Sequence, residues 1–247
     1  MHELLSALSI EICCAFVLAG FVKGVTGMGL PTVIMGSLGA LIGPLEAASL
    51  LVLPSLVTNV WQSLAGPGLL VALKRFWSMM LGICAGTVGA ASVLSGNRSH
   101  WPAHALGAVL MIYAALGLLN IRFLVRPRVE TLMSPVIGLA TGVVTGLTGV
   151  FVVPAVPYLQ SLGLERDALV GALGLSFTVS TIALAAGLAL NGSFCAGNLL
   201  ASAWTIVPAL LGMFLGQAVR SRINPELFRN GFFIVLLMLG ADLLLRG

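Results

Sequence analysis

Charge is what this chain is short of. Only 8% of its 247 residues are Asp, Glu, Lys or Arg, where a soluble domain carries about 25%. With 59% hydrophobic residues, the polar remainder cannot cover a globule of this size, and the implied solvent is lipid. No soluble domain fits in what is left, because the longest polar stretch runs only from Arg122 to Glu130. Carboxylates are rarer still within the apolar spans. Glu11 and Asp242 alone fall there, both nearer a span's end than its middle, while Glu46 and Asp167 begin helices, where a carboxylate complements the helix dipole. His100 and His104 lie in a loop around Trp101 and Pro102, with no carboxylate or cysteine at ligand spacing, so no metal site is expected. No histidine lies inside a span to serve as the base of an intramembrane enzyme. Cys13 and Cys14 are adjacent, Cys84 and Cys195 are solitary, and none has metal or redox spacing. They read as small packing residues, and no cofactor is expected. Met1-His2-Glu3 lacks the basic start of a secretory signal, and no small-residue cleavage site ends the first apolar run cleanly.

Glycine, by contrast, is abundant, and one glycine-threonine phrase appears twice. Gly20-Phe21-Val22-Lys23-Gly24-Val25-Thr26-Gly27-Met28-Gly29 returns 122 positions later as Gly142-Val143-Val144-Thr145-Gly146-Leu147-Thr148-Gly149-Val150-Phe151. A glycine costs a helix interior about 1 kcal/mol relative to alanine, so this density predicts broken or closely approached backbone. Within a bilayer such backbone is tolerated only where protein or a water-filled cavity covers it. Breaks at matching positions of two repeats point to a transporter binding site.

Hydrophobic regions fall at about 4–43, 45–66, 76–96, 103–124, 132–162, 167–190, 198–219 and 230–246. Regions one to four align with regions five to eight: Glu46-Ala47 with Asp167-Ala168, Pro54-Ser55 with Leu175-Ser176, Gly86 with Gly212, and Leu110-Met111 with Leu236-Leu237. The reading is a first membrane repeat over 1–124, a basic cytoplasmic linker over 125–131 and a second repeat over 132–247.

Regions one and five are too long for one simple span, and charge arbitrates between a kinked helix and a hairpin turning at the glycines. If each crosses once, Lys74, Arg75, Arg122, Arg126, Arg128 and Arg246 share one side, and Arg98, Arg166, Arg220, Arg222 and Arg229 the other, which carries no signal. If each is a hairpin, Lys74, Arg75, Arg122, Arg126, Arg128, Arg166, Arg220, Arg222 and Arg229 share one side, leaving only Arg98 and Arg246 opposite. The second count has the positive-inside bias of a real topology. The expected fold is therefore an all-α polytopic membrane protein of two inverted four-region repeats, each opening with a glycine-broken helical hairpin, with both termini outside. The net charge of +4 is topology, since the arginines form no stripe suited to nucleic acid.

Lys23 is the sharpest candidate. A lysine at membrane depth costs about 2.5–3.5 kcal/mol on translocon scales and is a functional hypothesis by default; snorkelling to the interface is the plain alternative. With no acidic residue at helical spacing, it is expected to anchor an anionic substrate. Thr26 and Thr148, with Thr145 in the lysine's symmetry position, offer hydroxyls. Gly24, Gly27, Gly29, Gly146 and Gly149 expose backbone N–H groups that favour anions, or else allow close helix packing. In the following helix of each half, Ser55, Thr58, Asn59 and Gln62 follow one face, and Ser176, Thr178, Ser180 and Thr181 lie in the partner. Interhelical hydrogen bonding explains these without a ligand, but Asn59 and Ser176 are taken as candidates to line the path.

Gly20 to Pro31, the second copy ending Val152-Val153-Pro154, and the Glu46-Ala47 and Asp167-Ala168 pairs together resemble the TauE/SafE family of sulfite and organosulfur-anion exporters, over nearly the whole chain. Family members commonly carry a run of glycines where this chain has Gly29-Leu30-Pro31 and Val150-Phe151. The resemblance implies export of a small sulfur-containing anion, such as sulfite or a sulfonate, by alternating access in the bacterial inner membrane. An inside-negative potential drives an anion outward by about 2.3 kcal/mol per charge per 100 mV, so export needs no coupling ion. An anion channel and a coupled importer of an organic anion remain the alternatives. The partners expected are a small anionic substrate and the lipid bilayer, with no nucleic acid; a homo-oligomer is compatible with the sequence.

Overall fold

The computed structural model describes residues 9–65, 68–95, 101–119, 127–193 and 196–246. Arg98, His100, Arg122, Arg126 and Cys195 lie outside them. The described residues form helices α1 (Ser9–Thr26), α2 (Leu30–Ile42), α3 (Pro44–Ala65), α4 (Leu69–Leu94), α5 (Trp101–Leu119), α6 (Pro127–Thr148), α7 (Ala155–Ser161), α8 (Arg166–Leu190), α9 (Ala196–Trp204), α10 (Ile206–Val219) and α11 (Pro225–Arg246), with no strand. Eight spans are long and apolar enough to cross a membrane, α9 and α10 together supplying one of them. His104, expected in a loop outside the spans, lies instead in the first turn of α5, at the end of a span. Backbone polar groups satisfied within each helix are what a bilayer demands. The segment read as a linker is mostly the first turn of α6, which begins at Pro127, where proline's fixed φ suits a helix start.

Each long first region divides at its glycines, into α1 and α2 or α6 and α7. The most enclosed spans are α3 and α8, 67% and 61% buried, against 28% for α11. These two central helices carry the polar faces noted in the sequence, and they run antiparallel: Asn59 meets Thr181, and Ser63 meets Thr178 and Gly174.

Around this pair, helices of one half pack along helices of the other. α1 lies parallel to α10, and α4 to α6, at separations only glycine permits. A methyl group on Gly24 would strike the Met213 carbonyl and the Gly216 Cα, and one on Gly146 would meet the Thr87 carbonyl at 2.6 Å and Ala90 at 2.8 Å. Gly20 likewise faces Ala209 and Met213, while Gly142 faces Ile83 and Thr87. Small residues four apart let membrane helices approach until their backbones touch, where dispersion replaces the missing hydrophobic drive. The two contacts agree residue for residue once 122 is added along the first helix and 126 along the third region, so Gly86 and Gly212 occupy equivalent places. α5 and α11 close the bundle as an antiparallel pair, Gly107 against Gly240 and Gly117 against Phe233.

Pro54 shows how α3 tolerates a breaker at its centre. Proline has no N–H, so the Leu50 carbonyl one turn earlier loses its helical donor. Ser202 Oγ and Thr205 Oγ1 replace it, donating to that carbonyl at 2.8 and 3.2 Å, from the point where α9 gives way to α10.

Candidate functional site

The first break begins where α1 ends. Gly27 N–H still reaches back to the Lys23 carbonyl at 2.7 Å, but Gly27 has φ +80° and Gly29 φ +106°, conformations that side-chain-bearing residues avoid. Thr26 secures the turn. Its hydroxyl donates to the Val22 carbonyl at 2.9 Å, with the Met28 carbonyl also in reach, and accepts from the Met28 N–H at 3.2 Å. The second break repeats this geometry: Gly149, at φ +72°, donates to the Thr145 carbonyl at 2.8 Å. Thr148 donates to the Val144 carbonyl at 2.7 Å and accepts from the Val150 N–H at 3.2 Å.

One turn before the first break, Lys23 is 3% exposed. Its ammonium donates to Thr58 Oγ1 at 3.0 Å and to Asn59 Oδ1, both on α3. Asn59 passes the connection on, its amide donating to Thr181 Oγ1 on α8 at 3.3 Å. Thr58 and Thr181 in turn donate to the carbonyls of Pro54 and Phe177 at 2.7 Å each, so their oxygens are fixed as acceptors. The lysine is thus held by neutral oxygens alone, and among the described residues no carboxylate pairs with it. A buried charge satisfied only by dipoles carries an uncompensated desolvation cost, and an anion brought beside it recovers that cost. The surrounding polar belt is also incompletely satisfied. Ser55 and Ser176, equivalent positions in the two halves, keep buried hydroxyls without a partner among the described residues, as do Ser180 and the Gln62 carbonyl oxygen.

The remaining candidates fall into two groups. Gly24 and Gly146 lie inside helices, where they make the interhelical contacts described above. Thr145, in the position equivalent to Lys23, is fully buried and donates to the Thr141 carbonyl at 2.7 Å. Thr26, Gly27, Gly29, Thr148 and Gly149 build the breaks themselves. The structure brings Lys23 and Asn59 into contact. Thr58 and Thr181 complete that chain of hydrogen bonds; both had been seen on polar faces without being singled out. Their hydroxyls look alike in sequence, and only the packing of α1 and α8 on α3 selects them.

The breaks differ in what lies beside them. Val25, Thr26 and Met28 line a half-open cavity of about 980 Å³. Its walls also include Gln160 and Ser161 of α7, Gln217 of α10, and the basic residues Arg166, Arg220 and Arg229. At the second break Val150, Phe151 and Val152 are completely buried, with Phe151 against Phe177 at 5.4 Å between ring centres.

A helical membrane bundle with two matched glycine breaks and one buried lysine narrows the comparison. The family described as Sulfite exporter TauE/SafE matches residues 12–243. The chain belongs to this family. Searches of curated proteins and of solved structures return no match. The TauE/SafE match covers both breaks, α3, α8 and the arginines of the cavity. TauE/SafE proteins are membrane exporters of sulfite and related sulfur anions, and this one is an integral membrane protein of that transporter family.

Proposed function

We propose that the protein exports a small sulfur oxyanion, sulfite or a sulfonate, from the bacterial cytoplasm by alternating access, with Lys23 as the countercharge for substrate. The observation that carries this reading is the buried ammonium, held by Thr58 and Asn59 and lacking an ion pair among the described residues. An anion passing it supplies the missing charge transiently, which a fixed carboxylate would forbid.

The geometry supports the rest of the reading. Helices that run parallel across the seam, α1 with α10 and α4 with α6, fit two repeats of opposite orientation, over 1–124 and 132–247. The cavity's Arg166, Arg220 and Arg229 all belong to the basic side of the bundle, which the positive-inside bias assigns to the cytoplasm. The first break then faces the cytoplasm through the cavity, while the second is sealed by Phe151 and Phe177, as in a carrier waiting to be loaded from within. Ser55, Ser176 and Ser180 supply hydroxyls that the oxyanion can engage beside the lysine.

The test is efflux of radiolabelled sulfite from proteoliposomes, comparing wild type with Lys23→Ala and Lys23→Arg. Loss of saturable efflux in Lys23→Ala, with partial retention in Lys23→Arg, is expected. Equal rates in all three remove the lysine from the mechanism.

A further inference from the structure

Arg166 opens α8, Arg220 follows α10 directly and Arg229 stands near the start of α11. Arg166 is far in sequence from the other two, yet all three line the cavity beside the first break, and no Asp or Glu is among its lining residues. Arg166 and Arg220, like charges on one wall, repel each other in the empty cavity and favour a bound anion. The crowding registers at Arg220, whose pKa is lowered from the ordinary guanidinium value by burial and then by the charge of Arg166. Gln160 and Gln217 add amide donors to the same wall.

The rest of the cavity is of a different character. Met28, Tyr113, Phe228, Phe232 and Phe233 give it an apolar wall. Phe233 packs against Tyr113 and Phe232 with ring centres 5.2 Å apart in each case. A bare inorganic oxyanion has no use for such a surface. At about 980 Å³ the cavity is also at the upper end of the 300–1,000 Å³ typical of pockets that enclose drug-sized ligands.

We propose that this cavity is a loading site, separate from Lys23, for an organic anion with an apolar tail. Its sulfonate or carboxylate head sits between Arg166 and Arg220, and its tail lies against Tyr113, Phe232 and Phe233. Only its place on the transport route rests on the export reading above: Thr26, about one helical turn from Lys23 along α1, lines the same cavity. An anionic lipid presents the same chemistry, a charged head and an apolar chain, and the experiment must separate the two sources.

The full chain in nanodiscs of zwitterionic phosphatidylcholine is titrated calorimetrically with methane-, butane- and hexanesulfonate. Affinity is expected to rise about fourfold per methylene, to fall at least about tenfold in the Arg166→Gln/Arg220→Gln double variant, and to survive in Arg166→Lys/Arg220→Lys. Equal affinity across the wild-type series overturns the proposal without recourse to any variant, as does wild-type binding in the double glutamine variant. Loss of sulfonate binding when anionic phosphatidylglycerol is added gives the cavity to a lipid headgroup and overturns it too. The export reading fails separately: Lys23-independent efflux leaves this binding series untouched, and a flat series leaves Lys23-dependent efflux untouched.

Discussion

At Thr26 the chain breaks beside a cavity of about 980 Å³; at Thr148 it breaks against a packed aromatic pair. The local chemistry is the same at both, down to a threonine hydroxyl that bonds one turn back and accepts from the amide two residues ahead. Matching threonine bonds in unlike surroundings teach that the phrase encodes the break, while the packing around it decides whether solvent reaches it. The lysine sharpens the contrast. Lys23 reaches across to α3, whereas Thr145 in the equivalent place bonds only within its own helix. The halves share a scaffold, and the charge belongs to one of them.

The largest effect should come from what the breaks have in common. Gly24→Val and Gly146→Val each drive a side chain into the backbone of a neighbouring helix, at about 3 kcal/mol or more, the upper range for overpacking. Both should abolish a monodisperse elution peak in detergent. If only one does, the two interfaces are not equivalent.

Next comes the charge. Lys23→Ala should lower efflux about 100-fold, equivalent to about 2.7 kcal/mol of lost stabilisation, while Thr145→Ala stays close to wild type in the same assay. A Thr145→Ala defect as deep as that of Lys23→Ala would mean that both halves hold the substrate equally. Accessibility gives a third contrast. In a chain whose native cysteines have been replaced, Thr26→Cys should react with a membrane-impermeant maleimide from the cytoplasmic side. Thr148→Cys should remain protected until substrate is cycling, and rapid labelling of both at rest would contradict the sealed second break. The smallest effect is the loss of a cap. Thr26→Val and Thr148→Val should each cost about 1 kcal/mol, the net worth of a typical intramolecular hydrogen bond, lowering thermal stability by similar amounts.

Much of this was legible in the sequence because it rests on local constraints. Glycine density located both breaks, hydropathy located the spans, and the isolation of Lys23 from acidic residues marked it before any partner was known. Its partners could not be read in the same way. Thr58 and Asn59 lie 35 and 36 positions away, and hydroxyl-bearing residues are equally common on the facing helix. Gly24 and Gly146 carried two meanings, open backbone and close packing, and only the positions of Met213 and Thr87 select the second. The arginines were least legible. Arg166, Arg220 and Arg229 registered as counts in a topology argument, since nothing in their spacing reveals that the α7–α8 and α10–α11 connections converge on one cavity.

The glycine contacts between α1 and α10, and between α4 and α6, also bear on how such a chain assembles. Each pair takes one helix from either side of the seam, so the first half made on the ribosome completes neither of these glycine interfaces. Its glycine rails stay unmatched until the second half is inserted, and the bundle closes only by exchange. Cut at the seam, the two pieces should be found together or not at all.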